Sequence, residues 1–289
     1  MPELPEVETV RRGLAPHMEG RVINYIALRR ANLRYPFPEG FERRLNGAKI
    51  THLSRRAKYL LCHIKTAGNQ DLVWITHLGM TGRFTVYNDG ADTIGRFHNQ
   101  IEPRATHEHV VLALDSQVEI TYCDSRRFGF MHLIPEAELP QYPAFVAMGP
   151  EPTSAIDVDA LSKRLKARRS PIKAALLDQS VLAGLGNIYV CEALFRAGIS
   201  PKTSADRIGK QRLVRLSAAI EAVISEAISA GGSTLRDFRA SDGELGYFQH
   251  QFDVYDRTNE VCSRPDCQGI IKRIVQSGRS SFYCGKCQR

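Results

Sequence analysis

The first residues of the chain could carry covalent chemistry. Removal of Met1 would leave a chain that begins with the secondary amine of Pro2 beside the carboxylate of Glu3. An unprotonated amine attacks electrophilic carbon, and such amines catalyse reactions through imine intermediates. Because the imine of a secondary amine has no N–H to lose, it keeps its positive charge at any pH, and Glu3 could move protons around it. The alternative is an ordinary helix start, since proline and glutamate also favour the first turn of a helix.

A second candidate site consists of four cysteines near the C-terminus. Cys262 and Cys267 form one close pair, and Cys284 and Cys287 form another after sixteen intervening residues. Two pairs of thiolates on tight turns can complete a tetrahedral shell around zinc. Because four sulfurs close the shell, no position remains for an activated water, and we expect one structural Zn²⁺. Apolar residues between the pairs predict two antiparallel strands.

Three internal segments carry residue types that bind nucleic acid. Residues 55–59 (RRAKY) place three charges at the start of a strand, where alternation would direct Arg56 and Lys58 to one face. Residues 124–129 (DSRRFG) combine two arginines with the phenylalanine Phe128. The ring of Phe128 could be inserted into a base stack, or it could be an ordinary buried side chain beside two solvated arginines. Residues 182–189 (LAGLGNIY) resemble a glycine turn between helices, which either approaches a phosphate or only connects the helices.

Composition limits the class of protein. The chain has 289 residues, and its 39 Lys plus Arg exceed its 31 Asp plus Glu, which gives a net charge of +8. This length allows two domains, each with its own core. The basic balance favours an acidic partner such as nucleic acid. No apolar run reaches the roughly 18 residues that a membrane span needs, so we expect no membrane partner and a cytoplasmic location.

Cysteine usage also indicates a reducing compartment. The chain has 7 cysteines, an odd number, and four of them belong to the candidate metal site. This distribution favours a metal site over a disulfide framework. We expect Cys62, Cys123 and Cys191 to be small buried side chains, because each lies in an apolar or strand-like stretch.

The pattern of apolar residues predicts an α+β fold that could position these groups. A first helix would bury Leu4, Val7, Val10 and Leu14. Short strands with turns between them favour a sandwich or barrel. We predict strands at 22–28, 49–53, 59–64, 72–77, 84–87, 109–114, 118–122 and 128–133. We predict helices at 157–168, 172–177, 187–197 and 208–230, the last ended by Gly231-Gly232. A polar loop is expected at 88–106.

Together these segments resemble the formamidopyrimidine-DNA glycosylases, bacterial enzymes that remove oxidised purines. The resemblance spans nearly the whole chain and rests on several motifs in family order. They are MPELPEVET at 1–9, RRAKYL at 55–60, HLGMTG at 77–82, RRFG at 126–129, MGPEP at 148–152, GLGNIY at 184–189 and GYFQ at 246–249. The zinc-finger cysteines follow.

The resemblance implies an α+β protein with an N-terminal helix and β-sandwich domain, and a C-terminal helix-two-turn-helix domain with a zinc finger. The expected limits are 1–134 for the catalytic sandwich, 135–155 for a linker, 156–249 for the helical DNA-binding domain and 250–289 for the finger. DNA would lie in the cleft between the domains. Residues 233–249 resemble the loop that closes over the extruded base.

The resemblance also implies the catalytic residues. Pro2 resembles the nucleophile that attacks C1′ of the damaged nucleotide, and Glu3 resembles its acid/base partner. Lys58 resembles a second catalytic group near the phosphate and sugar, and Arg279 resembles the arginine of strand cleavage. The implied reaction excises 8-oxoguanine and formamidopyrimidines through a Schiff base and then cleaves the strand by β,δ-elimination.

The expected partner is double-stranded DNA that contains oxidised bases, bound by a monomer. Met80, Arg126 and Phe128 resemble the residues that fill the space left by the extruded base. Further DNA contacts are implied for His107, Arg168, Lys173 and Asn187.

The chain departs from the family pattern at three places, and two alternative functions remain. Four residues separate Cys262 and Cys267 where many relatives have two, Ser125 stands where proline is common, and the 88–106 loop is longer. One alternative is an endonuclease VIII-like glycosylase for oxidised pyrimidines, although such proteins usually have glycine where this chain has Leu4. The other is a non-catalytic zinc-finger protein that binds damaged DNA.

Overall fold

A computed structural model describes residues 2–87, 107–233 and 247–289. The chain divides into two compact units, Met1–Val146 with Ala230–Tyr247, and Ala147–Ser229 with Phe248–Arg289. The loop expected at 88–106 and most of the segment expected at 233–249 lie outside the described residues. Within the described residues, no helix combines the length and the apolar character that a membrane span requires.

Helix α1 (Leu4–Met18) opens the first unit and begins with two reciprocal backbone contacts. The Glu3 side chain accepts from the backbone N–H of Glu6, while Glu6 Oε2 accepts from the backbone N–H of Glu3 at 2.7 Å. These contacts satisfy two of the N–H groups that a helix start leaves unpaired. Val7, Val10 and Leu14 are fully buried, so the predicted helix and its apolar stripe are confirmed.

Eight strands form two antiparallel sheets behind α1, and all eight strand predictions are confirmed. The strands are β1 (Ile23–Leu28), β2 (Lys49–Arg56), β3 (Tyr59–Lys65), β4 (Asp71–His77), β5 (Arg83–Tyr87), β6 (Glu108–Leu114), β7 (Glu119–Cys123) and β8 (Phe130–Pro135). One sheet has the order β1-β6-β7-β5 and the other β2-β3-β4-β8. Side chains from both sheets and from α1 share one core, so the unit is a sandwich.

Two short helices of the first unit were not predicted. They are α2 (Phe41–Leu45) and α3 (Pro143–Val146). A helix of one turn has too few residues to produce a periodic pattern of apolar side chains. Helix α2, for example, has only two buried residues, Phe41 and Leu45. Cys62, Cys123 and Cys191 are buried as predicted. Burial raises the pKa of the Cys62 and Cys123 thiols, so both stay protonated at neutral pH.

The second unit is helical and ends in a β-hairpin. Its helices are α4 (Val158–Lys166), α5 (Ile172–Leu177), α6 (Asn187–Arg196) and α7 (Lys210–Ser229), which confirms the four predicted helices. The hairpin consists of β9 (Ile271–Gln276) and β10 (Arg279–Cys284), paired antiparallel as predicted. Helix α7 ends before Gly231 and Gly232, whose positive φ angles of 73° and 79° suit glycine.

One buried carboxylate fixes the approach of the chain to the finger. Glu192 of α6 is fully buried and accepts hydrogen bonds from three consecutive backbone N–H groups, at 2.9, 3.0 and 2.8 Å. The donors are those of residues 253–255. Because a buried carboxylate is costly without donors, these bonds restrict the segment to one path.

A second carboxylate ties α1 to the β2–β3 hairpin. Glu8 accepts from Arg11 and Arg12 of its own helix at 2.8 Å each, and from Arg55 Nε of β2 at 3.2 Å. Burial by itself would raise the pKa of Glu8, but the hydrogen bonds from Arg11 and Arg12 and the charges of Arg11 and Arg55 lower it to about 2. The ionised form of Glu8 is therefore the one that stabilises the fold.

We predict that Glu8→Gln destabilises the protein in a pH-dependent way. Since the pKa of Glu8 in the folded protein lies below its ordinary value, its contribution is full above that value and is lost as the pH falls toward about 2. Solvent screens the exposed Arg12, so we expect a cost of about 1–2 kcal/mol at pH 6. Urea titrations at pH 6, 4 and 3 should show this cost shrinking. The exposed Glu138→Gln serves as the control, and a cost that is independent of pH would contradict the assignment.

Candidate active site and nucleic-acid interface

The N-terminal site residues lie at the start of α1. Pro2 and Glu3 are both buried, and Glu3 is the N-cap of the helix. The ordinary helix-start interpretation therefore describes the local structure correctly, and it is compatible with the chemical one. Once Met1 is removed, the Pro2 nitrogen becomes an amine at the positive end of the helix dipole, which disfavours its protonated form.

Lys58 lies in a turn, whereas alternation within a strand had been predicted. Strand β2 ends at Arg56 and β3 begins at Tyr59, so only Ala57 and Lys58 form the turn. Ala57 has a φ of 51°, and this left-handed residue breaks the alternation that would have directed Arg56 and Lys58 to one face. Lys58 is only 7% exposed, so it is not a solvated surface charge.

The Lys58 turn is anchored to α1. Arg55 Nη1 donates to the carbonyl of Ala57 at 2.9 Å, and Arg55 Nε donates to Glu8 Oε2 at 3.2 Å. A guanidinium presents several donors in a rigid plane, so it can hold a carbonyl and a carboxylate at once. The turn that carries Lys58 is thereby fixed against the helix that follows Pro2.

His77 is a candidate functional residue that the sequence analysis did not select. It ends β4, and burial first, then the charges of Lys58 and Arg34, lower its pKa to about 4. Its Nδ1 accepts from the backbone N–H of Gly79 at 3.1 Å, so the proton of the neutral ring is on Nε2. Nε2 is therefore available as a hydrogen-bond donor. The only sequence signal was its place in the motif at 77–82.

Met80, Arg126 and Phe128 belong to two loops that the structure brings together. A Cβ on Gly79, whose φ is 62°, would lie 2.3 Å from the backbone of both Phe128 and Gly129. Only glycine allows this approach. Phe128 is 45% exposed, and the guanidinium of Arg126 lies 4.8 Å from its ring centroid. The alternative of a buried phenylalanine is wrong, and Met80 is half-buried.

The carboxylate of Asp124 organises these two loops. It is fully buried and accepts from the hydroxyl of Thr81, which follows Met80, and from the backbone N–H of Gly129 at 2.8 Å. Thr81 in turn accepts from the backbone N–H of Arg126 at 3.1 Å. His107, which is exposed, joins the same loop through its carbonyl, because this oxygen accepts from the Asp124 N–H at 3.0 Å.

In the second unit, α5 and α6 converge on the finger hairpin. Asn187, the first residue of α6, donates through Nδ2 to the carbonyl of Ser280 at 2.9 Å. Lys173 of α5 donates to the same carbonyl and to the Ser281 hydroxyl, both at 2.7 Å. The exposed Arg279 precedes Ser280, so both helices fix the backbone next to this arginine.

The two remaining cations differ in how available they are to DNA. Lys173 was expected to contact DNA, but its side chain is fully buried against the hairpin, and a direct contact stays a prediction. Arg168 is half-buried and donates to Asp178 at 2.8 Å and to Ser180 at 2.9 Å. DNA would therefore compete with Asp178 for the Arg168 guanidinium.

The four C-terminal cysteines form a cluster that fits one structural Zn²⁺. All four sulfurs lie within 4.8 Å of one another. Cys262 and Cys287 have sulfurs 3.8 Å apart, and the sulfurs of Cys267 and Cys284 are 3.7 Å apart. A tetrahedral shell with zinc–sulfur distances of about 2.3 Å requires sulfurs about 3.8 Å apart. The longer spacing between Cys262 and Cys267 therefore does not prevent a tetrahedral site.

Family models match nearly the whole chain. Residues 1–131 match the formamidopyrimidine-DNA glycosylase N-terminal domain, and residues 148–239 match the formamidopyrimidine-DNA glycosylase H2TH domain. Residues 259–289 match the zinc finger found in FPG and IleRS. These matches define the class as zinc-finger DNA glycosylases with a helix-two-turn-helix domain.

Similar proteins support the same class over the full length. Formamidopyrimidine-DNA glycosylases of Ruegeria pomeroyi and Caulobacter vibrioides are 51% and 50% identical to the chain, with 100% of each chain covered. A mutant of the Lactococcus lactis enzyme in complex with Fapy-dG-containing DNA is 33% identical, with a TM-score of 0.87 and 100% coverage of both chains. A complex of the Lactococcus lactis enzyme with abasic-site DNA has a TM-score of 0.86 at 32% identity and 99% coverage of both chains. The chain belongs to the formamidopyrimidine-DNA glycosylase family.

We predict that Asp124→Asn disturbs both loops. An amide keeps only one acceptor oxygen, so its NH₂ group would face the donor of either Thr81 or Gly129. We expect a loss of stability of about 2 kcal/mol and a weaker affinity for lesion-containing DNA. Urea denaturation and fluorescence anisotropy measure the two effects. The exposed Asp115→Asn is the control, and unchanged DNA affinity in Asp124→Asn would refute the role of this carboxylate.

We predict that removal of zinc disorders the finger before it affects the sandwich. The metal would join segments whose shared apolar cluster, around Phe282 and Val254, is small. Titration with a chelator, followed by amide NMR, should first broaden signals of residues 259–289, and DNA affinity should fall in parallel. Equal affinity of the metal-free protein would show that the finger is not part of the DNA-binding surface.

Proposed function

We propose that the chain is a bifunctional DNA glycosylase and abasic-site lyase of base excision repair. It would excise oxidised purines, namely 8-oxoguanine and formamidopyrimidines, and then cleave the strand by β,δ-elimination. Two relatives at 50–51% identity carry the name formamidopyrimidine-DNA glycosylase, and a similar solved structure holds DNA with a formamidopyrimidine lesion. This support favours oxidised purines over the pyrimidine lesions of the endonuclease VIII alternative.

The first step is extrusion of the damaged nucleotide. A base inside a duplex cannot be reached, and unstacking it costs a few kcal/mol, which about three new contacts of ordinary strength could offset. The half-exposed ring of Phe128 and the adjacent Arg126 guanidinium are suited to enter the gap and contact the opposite strand. Met80 would fill the rest of the gap. The anchored Asp124 loop keeps these side chains in place.

The second step is nucleophilic attack by Pro2. The lone pair of its nitrogen forms a bond to C1′, and the bond from C1′ to the base breaks, so the base leaves with that electron pair and a proton. The sugar ring then opens to an iminium ion. Glu3, buried directly after Pro2, would supply and remove the protons of these steps.

The third step is strand cleavage. The iminium charge acidifies the C2′ hydrogen, so loss of this proton expels the 3′ phosphate, and a second elimination expels the 5′ phosphate. Hydrolysis of the remaining imine releases Pro2. Lys58 would act as a second catalytic group near the phosphate and sugar, and Arg279 would neutralise charge on the departing phosphate.

One observation carries this proposal. The contact from Glu8 through Arg55 to the Ala57 carbonyl joins the Lys58 turn to the helix that begins directly after Pro2 and Glu3. Segments that carry residues 56 positions apart in sequence, Pro2 and Lys58, are thus joined by hydrogen bonds. A protein that only binds damaged DNA does not need such an arrangement, which argues against the non-catalytic alternative.

DNA backbone contacts would come from both units. We propose phosphate contacts for His107 and Arg126 of the first unit, and for Arg168, Lys173 and Asn187 of the second. The buried Lys173 would have to exchange its hydrogen bonds to Ser280 and Ser281 for a phosphate. Zn²⁺, held by the four cysteines, would stabilise the hairpin that carries Arg279, and it would take no part in the chemistry because four sulfurs complete its shell. We further propose that the protein acts as a monomer in the bacterial cytoplasm, where its DNA substrate is located.

We predict a covalent adduct at the N-terminal proline. Borohydride reduces an iminium to a stable amine, so it should trap the enzyme on a duplex that contains 8-oxoguanine, and mass spectrometry of the digested conjugate should locate the linkage on Pro2. Pro2→Gly replaces the secondary amine by a primary one, and a retained Met1 removes the amine from this position; we expect each to reduce trapping at least about 100-fold.

The matched control is Pro5→Ala, because Pro5 lies close to Pro2, in the first turn of α1, but cannot become the terminus. This variant should still be trapped. A linkage on an internal lysine would refute the proposed nucleophile. Parallel assays on a thymine glycol duplex should give slower excision than 8-oxoguanine, and the reverse order would favour the endonuclease VIII-like alternative.

A further inference from the structure

The Glu6 carboxylate joins two distant parts of the first unit. Glu6 is 2% exposed, and both of its oxygens accept hydrogen bonds. Oε2 accepts from the backbone N–H of Glu3 at 2.7 Å. Oε1 accepts from the backbone N–H of Ser233 at 2.9 Å and from the Ser233 hydroxyl at 3.0 Å. Glu6 and Ser233 lie 227 positions apart in sequence.

The bond to Glu3 restricts the position of Pro2. The N–H of Glu3 belongs to the same planar peptide group as the carbonyl of Pro2, so fixing this N–H fixes the plane. Only the rotation about the Pro2 Cα–C bond then remains between that plane and the ring nitrogen. The orientation of the nitrogen therefore depends on the direction in which Glu6 Oε2 points.

Ser233 is held in place by contacts of its own. Its side chain and backbone are 3% exposed, and it pairs as an antiparallel bridge with Tyr247, whose N–H donates to the Ala230 carbonyl at 3.1 Å. The preceding Gly232 has a φ of 79°, and a Cβ there would lie 3.1 Å from Glu6 Oε1. Glycine thus allows the Ser233 backbone to approach the carboxylate closely.

We propose that Ser233 is a positioning residue for the nucleophile, which it orients through Glu6. Its two donors hold Oε1 and so set the rotation of the carboxylate, and this rotation directs Oε2 at the Glu3 N–H. A carboxylate is required, because only a group with two acceptor oxygens can serve donors on both sides. The proposal rests on the proposed function, in which Pro2 is the attacking amine.

The test compares Ser233→Ala with Ser233→Thr on a duplex with a preformed abasic site. This substrate requires attack by the amine but no base excision. Loss of the hydroxyl removes one of the two donors to Oε1, so we expect Ser233→Ala to slow single-turnover borohydride trapping and strand cleavage by about 10-fold. DNA affinity should stay within about twofold. Ser233→Thr retains a hydroxyl and should restore the rate.

Ser217→Ala is the matched control. Ser217 is also buried, and its hydroxyl has no hydrogen-bond partner within residues 2–87, 107–233 and 247–289. We expect this variant to keep the wild-type rate. A wild-type rate in Ser233→Ala would overturn the proposal. So would equal losses of rate, affinity and melting temperature in Ser233→Ala and Ser233→Thr, because these indicate a structural role alone.

A double-mutant cycle with Glu6→Gln tests whether Ser233 acts through Glu6. Glu6→Gln should slow trapping more than Ser233→Ala does, and adding Ser233→Ala to Glu6→Gln should change the rate by less than about threefold. If the two substitutions slow trapping independently, so that their factors multiply in the double variant, Ser233 does not act through Glu6 and the proposal is overturned. If the wild-type adduct forms at a residue other than Pro2, the proposed function itself fails. If the adduct is on Pro2 but Ser233 has no effect, only this inference fails.

Discussion

The structure depends on buried carboxylates that must find hydrogen-bond donors. A charged carboxylate without partners is costly in a protein interior, so each such group determines the path of the chain that supplies its donors. Asp124 collects donors from the loops that carry Met80 and Phe128. Glu6 collects them from the N-terminus and from Ser233, and Glu192 collects them from the segment that leads into the finger. Backbone donors are used repeatedly, and this fixes main-chain positions as well as side chains.

The proposed chemistry needs fixed main-chain positions because the reacting groups cannot all reach the substrate by side-chain movement. Pro2 has no long side chain that could reach its target, so its backbone must be correctly placed. Lys58 has a long side chain, and the turn that carries it is also fixed. The Arg55 guanidinium holds this turn and pairs with Glu8, and the Arg55 side chain is only 8% exposed. In the second unit, the Lys173 ammonium serves the same purpose for the backbone beside Arg279. The finger has a small apolar cluster, and a metal bound by four thiolates would supply the stability that this cluster lacks.

Most secondary structure could be predicted from sequence because it follows local patterns. The eight strands of the sandwich alternate or are apolar throughout, and helices α4 to α7 show helical periodicity. The hairpin between the cysteine pairs was predicted from its apolar residues for the same reason. Helices α2 and α3 were missed because four or five residues carry no period. The predicted alternation of Arg56 and Lys58 was wrong because Ala57 adopts a left-handed conformation, which an alanine in the sequence does not indicate.

The sequence by itself determined the kind of chemistry. The sequence itself contains a proline after the initiator methionine, an adjacent glutamate and four cysteines in two close pairs. The residue types and their spacing limit the reactions and the metal site that these groups can form. Tertiary structure alone decided which polar groups are held and by which partners. It left Phe128 exposed, buried Lys173 against the hairpin and joined Glu6 to Ser233. The physical reason is that burial and hydrogen bonding join residues that are far apart in sequence. Local sequence patterns do not specify such pairs.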